Sequence, residues 1–241
     1  MMTKKALIRR SKLPLHIALA APLFWLIWQL DLAFAGQPHD LGFNPLETAN
    51  RHTGIWTLRY LVLVLTLTPL QRLARVKFIA AYRRLVGLWA FTYATAHVLS
   101  YAWLDHQLDW EAIFDDIADR RYITIGLIAF TLLIPLAATS FRYAMKKLGR
   151  SWKKLHQMVY AISLLGVLHY AMMVKGNQLE PLIYGWIVAL LLAIRLWTFG
   201  RKQLRQQARA EQAQAARHAA KEGHAAGTAL SPSGRVSAAG V

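Results

Sequence analysis

Long apolar stretches with few charges decide what this chain can fold into. Five of them, around residues 13–35, 54–71, 122–141, 155–174 and 180–199, run for about 18 residues or more, the length that crosses ~30 Å of hydrocarbon. A sixth, 85–104, is broken only by His97 and hydroxyl side chains. The expectation is an all-α integral membrane protein, a six-helix domain over 13–199 with spans at about 13–35, 54–73, 85–104, 122–141, 152–174 and 180–199. Trp28, Trp56, Trp103, Trp152, Tyr122 and Tyr184 lie near the ends of these runs, as an interfacial aromatic belt requires.

Charge sets the orientation. The chain has 29 Lys+Arg against 12 Asp+Glu, a net +17, although 56% of it is hydrophobic. The basic residues fall in short blocks between apolar spans and form no continuous stripe, which excludes a nucleic-acid partner and leaves membrane lipid as the surroundings. Of the 29, 24 lie before residue 13, in 72–84, in 142–154 and from Arg195 onward. The other five, Arg51, Arg59, Arg120, Arg121 and Lys175, share their loops with most of the acids, including Asp105, Asp109, Glu111, Asp115, Asp116 and Asp119. The positive-inside rule then places both termini in the cytoplasm, with the basic segment 1–12 inside and the 36–53, 105–121 and 175–180 loops outside. The basic start, apolar run and Ala33-Phe34-Ala35-Gly36 also resemble a signal peptide. The run is longer than the usual core of about 7–15 residues and holds Trp25 and Trp28, so it is expected to stay as the first span.

Residues 200–241 turn rich in Ala, Gln, Arg and Gly and read as a cytoplasmic tail, a polar helix over Arg201–Lys221 followed by disorder from Gly223 to Val241. No internal repeat of fixed period is visible, and no Gly-rich turn that would cradle phosphate. Cysteine is absent, which removes disulfides, thiolate ligation and Cys-held iron–sulfur clusters from the available chemistry.

Histidine is what remains. His39, His52 and His106 fall in outer loops, His218 and His224 in the tail and His16 near the start of the first span, all ordinary solvated or interfacial positions, with His52 abutting the second span. His97, His156 and His169 lie inside the third and fifth spans. An unpaired ionisable group there costs several kcal/mol, so each needs a partner in the bundle. His97 is 13 residues past Arg84, ~20 Å along a helix, and His169 is 15 past Lys154, ~22 Å, at 1.5 Å per residue. Matched depth makes these two the natural axial pair for a flat macrocycle such as haem, toward the outer side. His156 lies near the inner surface, where its depth-matched counterpart on the third span is Arg84. On a straight helix His156 and His169 point about 140° apart. Either the helix is distorted, near Gly166, or only one of them faces the third span, and His156 is then a ligand or a structural residue. A zinc or copper site fits poorly, because His156 and His169 are about 20 Å apart along the helix with no carboxylate or thiol to complete the shell. No Cys, and no Ser, His and acid set together, supplies a nucleophile, so no catalytic residue is assigned.

Several segments resemble a known family: His52-Thr53-Gly54-Ile55-Trp56-Thr57-Leu58-Arg59, Thr68-Pro69-Leu70, Arg83-Arg84-Leu85-Val86-Gly87-Leu88 ahead of His97, and Trp152-Lys153-Lys154-Leu155-His156 with His169. They are similar to MsrQ (YedZ), the haem-binding membrane subunits of bacterial periplasmic methionine-sulfoxide reductase systems, within the ferric-reductase-like transmembrane proteins. The likeness covers about residues 10–198 and leaves out the tail. It implies b-type haem on His97 and His169, an inner-membrane location, electrons from the quinone pool with FMN as a further cofactor, and delivery to a periplasmic molybdopterin enzyme that reduces methionine sulfoxide in oxidised proteins. Larger relatives, the NADPH oxidases, carry four histidines on these two spans. Arg84 stands here where the fourth would be, as a haem-propionate or second-site contact beside His156. No flavin and nicotinamide domain follows the last span, so the chain is expected to be an electron-transfer subunit and not itself the sulfoxide reductase. Two other functions are compatible with the residues: a haem-dependent metal or quinone reductase with no dedicated partner, and a transporter whose histidines relay protons.

Overall fold

The computed structural model describes residues 4–73 and 77–229. Residues 1–3 of the basic segment, 74–76 of the first inner loop and 230–241 of the tail lie outside the described residues. Every regular element among the described residues is helical: α1 (Lys4–Phe34), α2 (Pro45–Leu73), α3 (Arg83–Leu99), α4 (Trp110–Asp119), α5 (Arg121–Ala138), α6 (Arg142–Leu148), α7 (Arg150–Leu155), α8 (Val159–Met173) and α9 (Leu179–Ala229). Tight 3-10 turns cover Lys77–Tyr82 and His156–Met158, and a π-helical turn extends α3 through Ser100–Asp105. Among the described residues five helical stretches are long and apolar enough to cross a bilayer: Arg10–Phe34, Pro45–Gln71, Arg121–Ala138, Arg150–Met173 and Leu179–Gln214. Their apolar side chains face outward in large part, Phe24 at 69% and Leu190 at 62% exposure, which water would not tolerate on this scale.

Three boundaries differ from the sequence expectation. α2 begins nine residues before 54, at Pro45, so part of the expected 36–53 loop is helix. Asn44 caps it: its Oδ1 accepts from the Glu47 amide at 3.3 Å, its amide donates to the Glu47 carboxylate at 3.2 Å, and Pro45 takes the first helical position, where a missing N–H costs nothing. The distortion in the fifth span is not at Gly166, which lies inside α8 against Leu58. It is the 3-10 turn at His156–Met158. The third is at the tail, where α9 continues past Gly223 to Ala229, so residues 223–229 are helical and not disordered.

The chain divides into two compact units, Met1–Leu192 and Ala193–Val241. In the first, α2 pairs with α3 and α5 with α8, and the two hairpins meet through α2 against α8 and α3 against α5. Tyr93, Val86, Ile162 and Ser163 are fully buried at their centre. α1 is held on one side because its Leu19 carbonyl, a turn ahead of Pro22, accepts from the hydroxyls of Tyr60 at 2.7 Å and Tyr93 at 3.0 Å. The start of α9 is held by the Tyr170 hydroxyl on Glu180 at 2.6 Å and the Arg59 guanidinium on the Tyr184 hydroxyl at 3.0 Å. In the second unit, Arg201 lies over the Trp197 ring at 4.3 Å.

Candidate functional site

His97 projects from α3 toward α2, where its Nδ1 lies 3.0 Å from the Asn50 carbonyl oxygen. A carbonyl only accepts, so Nδ1 carries the proton and the neutral ring keeps a free lone pair on Nε2. His169 on α8 does the same toward α5, its Nδ1–H donating to the Tyr122 carbonyl at 2.6 Å. Each ring rests on a glycine. A Cβ at Gly54 would meet His97 Cε1 at 3.0 Å and Nδ1 at 3.2 Å, and one at Gly126 would meet His169 Nδ1 at 2.8 Å and Cε1 at 2.9 Å. The reason is helix geometry. The carbonyl of residue i points along the axis toward residue i+4, so a neighbouring imidazole reaches that oxygen only where residue i+4 leaves its side open. Asn50 with Gly54 and Tyr122 with Gly126 are two such pairs. Thr53, fully buried, brings its Oγ1 to 3.5 Å from His97 Nδ1 while donating to the carbonyls of Ala49 and Asn50.

A shift of 72 residues carries Asn50, Gly54 and His97 onto Tyr122, Gly126 and His169, and each histidine is 47 residues from its carbonyl partner. The α2–α3 and α5–α8 hairpins are therefore equivalent halves around one site. The sequence expectation is of no internal repeat of fixed period; what recurs at 72 residues is backbone geometry with few shared side chains. The recoverable signal is a glycine 43 residues ahead of each of these two histidines.

The two rings face one another with centroids 6.1 Å apart and planes at 77°. Imidazole nitrogens each about 2 Å from one metal ion are about 4 Å apart, and the rings add about 1 Å each, which gives roughly 6 Å between centroids. A cavity of about 670 Å³ surrounds them, within the usual range for a cofactor site. Its deep wall is apolar, with Leu58, Leu61, Leu133 and Ile162, and its mouth is charged, with Glu47, Arg51, Asp105, Asp116 and Arg120 beside His106. No cluster of three or more His, Cys, Asp or Glu suited to a metal ion exists among the described residues, so a bare ion would lack its shell. Haem brings four in-plane nitrogens and needs only two axial imidazoles, which is the donor set present.

The other sequence-selected residues lie elsewhere. His156 sits in the 3-10 turn, its Nδ1–H on the Trp152 carbonyl of its own chain segment at 3.1 Å, its ring stacked on Trp152 at 4.0 Å. Its Nε2 is buried with no hydrogen-bond partner among the described residues. Arg84 donates to the Ser140 carbonyl at 3.3 Å and does not line the cavity. His52 donates through Nε2 to the Pro22 carbonyl at 3.2 Å and stacks on Trp25. His16 accepts from the Trp89 indole at 3.1 Å, and His39 Nδ1 accepts from the Leu41 amide at 3.2 Å.

At the charged end of the cavity α4 lines it with Ile113, Asp116 and Ile117, its first turn capped by the Asp109 carboxylate on the amides of Glu111 and Ala112. Asp116 gathers Arg120 at 3.0 Å, His106 at 3.2 Å and the Tyr101 hydroxyl at 3.3 Å. Asp105 accepts from Asn50 Nδ2 at 3.1 Å, and partial burial pushes its carboxyl above the usual carboxylate range despite that bond and the nearby His106. Of the acidic loop residues, Asp116 is half-buried, while Asp105, Asp109, Glu111, Asp115 and Asp119 stay exposed.

A bundle of bilayer-length helices with one imidazole from each of two hairpins facing across a central cavity defines a ferric-reductase-like transmembrane component, and the model of the family with that description matches residues 53–167. The chain is a multi-pass membrane protein. It is 41% identical over 197 residues to a protein of Xanthomonas campestris pv. campestris (strain 8004), covering 81% of this chain and 90% of the relative. It is 44% identical over 203 residues to one of Polaromonas naphthalenivorans (strain CJ2), covering 82% and 92%. Both relatives are named protein-methionine-sulfoxide reductase heme-binding subunit MsrQ. The chain belongs to the MsrQ family.

Proposed function

We propose that this chain is the haem-carrying membrane subunit of a methionine-sulfoxide reductase system, passing electrons from the quinone pool, or from an FMN-type flavin donor, to a periplasmic molybdopterin enzyme that repairs oxidised proteins. The carrying observation is the facing His97 and His169, each with Nδ1 bound to a carbonyl of the neighbouring helix and Nε2 free. A b-type haem bound there supplies reversible one-electron chemistry at iron. His97 and His169 would hold it through their free Nε2 atoms. The carbonyls of Asn50 and Tyr122 fix the ring orientations and raise ligand basicity, as second partners of metal-bound histidines do. Gly54 and Gly126 let the rings approach the backbone, and the apolar wall of Leu58, Leu61, Leu133 and Ile162 keeps water from the deep side.

The topology that suits this role has six spans in the bacterial inner membrane with both termini cytoplasmic, the third being about 85–104, which α3 and its π turn supply. The charge map supports it. The charged cavity mouth then faces the periplasm. A second haem at His156 has less support, because Arg84 supplies no facing imidazole.

The test is transfer. Purified protein should show a Soret band and sharp α bands on dithionite reduction. Haem reduced by a quinol analogue in membranes should reoxidise when the periplasmic reductase and a methionine-sulfoxide substrate are added together. A colourless folded protein sinks the assignment. Haem that stays reduced beside a competent partner favours a metal or quinone reductase that works without one.

A further inference from the structure

The cavity is amphiphilic along one direction, and its charged end draws on both halves of the bundle. Arg51 follows Asn50, whose carbonyl holds His97; Arg120 stands two residues before Tyr122, whose carbonyl holds His169. Both side chains are more than half exposed at the cavity mouth, 56% and 54%. Among the described residues they are the two arginines or lysines that line it. Arg51 touches Glu47 at 4.0 Å, an exposed contact within a helix that stabilises by only a few tenths of a kcal/mol and leaves the guanidinium free to re-aim. Arg120 engages Asp116 through Nε at 3.0 Å and the Tyr122 hydroxyl through one terminal nitrogen at 3.4 Å, leaving further N–H donors of its fork uncommitted.

A flat apolar ligand with two carboxylates on one edge is the shape and charge this cavity complements. We infer that Arg51 and Arg120 each bind one haem propionate at the outer mouth, one arginine from each half, and so fix the carboxylate edge of the macrocycle toward the outer surface. This rests on the haem assignment at His97 and His169. It moves the propionate role from Arg84, about 20 Å along α3 from His97, to two residues beside the histidine-orienting carbonyls. It also has an electrostatic consequence. Glu47, Asp105 and Asp116 share the mouth, so without the arginines two propionates would join three carboxylates, and an added electron would meet a more negative surround.

The experiment uses the full chain in nanodiscs, loaded with protohaem or with protohaem dimethyl ester, in wild type, Arg51→Gln, Arg120→Gln and the double variant. With protohaem, each single variant should lose haem to an acceptor globin about tenfold faster, the scale of one charge-assisted hydrogen bond. The reduction midpoint should move to lower potential, further in the double variant. With the dimethyl ester, whose carboxyls are uncharged, wild type and variants should coincide. Variants indistinguishable from wild type with protohaem overturn the inference and leave the haem assignment standing. An equal effect with both porphyrins also overturns it, because the arginines would then act on the fold. Wild type that takes up neither porphyrin overturns the haem assignment itself.

Discussion

The two ends of the α2–α3 and α5–α8 bundle treat histidine differently. At one end His97 and His169 are each oriented by a carbonyl on a different helix, 3.0 and 2.6 Å away, and they face one another across a cavity. At the other, His156 is oriented by the carbonyl four residues earlier in its own segment and by stacking on Trp152. The shift of 72 residues that relates His97 to His169 relates Arg84 to His156, so the second end has lost the symmetry that the first keeps. A ring held from another helix is fixed relative to the bundle and can present Nε2 to a shared ligand. A ring held by its own turn is fixed only relative to that turn.

Removing the ring separates the two ends most sharply. His97→Ala or His169→Ala should abolish the low-spin bis-histidine spectrum, leaving under about a tenth of the haem, since one axial bond and the ring orientation vanish together. His156→Ala should keep most of it. Spectra and pyridine-haemochrome counts of the three purified variants decide the matter, and an unchanged spectrum for His97→Ala breaks the comparison outright.

Adding one methyl group sharpens it further. Gly126→Ala places a Cβ 2.8 and 2.9 Å from ring atoms of His169, closer than real contacts allow, so the ring or α5 must shift at a cost of about 1–3 kcal/mol. Gly54→Ala, at 3.0 and 3.2 Å from His97, should cost less. Gly166→Ala meets Leu58 Cδ1 at 3.7 Å and Leu61 Cδ1 at 4.0 Å, ordinary van der Waals contacts, and serves as the control. Haem content and the low-spin electron paramagnetic resonance signal should fall in the order Gly126, Gly54, Gly166. A Gly126 variant with full haem and an unmoved signal would show that the glycine holes do not set ring position.

How much of this is legible in the sequence depends on whether a side chain or the backbone does the work. The helical spans and the pair His97 and His169 are legible because an ionisable group in a lipid-length apolar run demands a partner, and counting from Arg84 and Lys154 matches their depths. The orienting groups are carbonyls, which every residue has, so Asn50 and Tyr122 carry no mark. Gly126 looks like any glycine in an apolar helix. The early start of α2 is legible in Asn44-Pro45 followed by Glu47, a cap, a first-turn proline and an acid, but the polar Glu47, Asn50 and Arg51 hide it from a hydropathy reading. The break at His156–Met158 has no proline or glycine to announce it, and placing it at Gly166 followed the only visible helix-weakening residue.

The smallest expected effect lies at the charged mouth and concerns the resting protein. Asp105 accepts from Asn50, the residue whose carbonyl holds His97, while partial burial raises its carboxyl above the unfolded value. A raised folded value means that the folded state binds the proton more tightly. The stabilisation is present below the ordinary carboxylate range and is lost as pH rises through the raised value. At neutral pH the ionised group is therefore a mild liability, offset by its hydrogen bond. Asp105→Asn removes the charge and keeps a carbonyl oxygen for Asn50 to donate to. Because Asp105 is exposed, solvent screening keeps the effect small: the variant should gain no more than about 0.5 kcal/mol at pH 7 and lose that advantage as pH falls and the wild-type carboxyl takes up its proton. Thermal unfolding of the two proteins in the same detergent at pH 3 and pH 7 gives the sign: a variant less stable than wild type at pH 7 would mean that the Asp105 charge braces Asn50, and that the His97 half depends on the charged mouth more than the His169 half does.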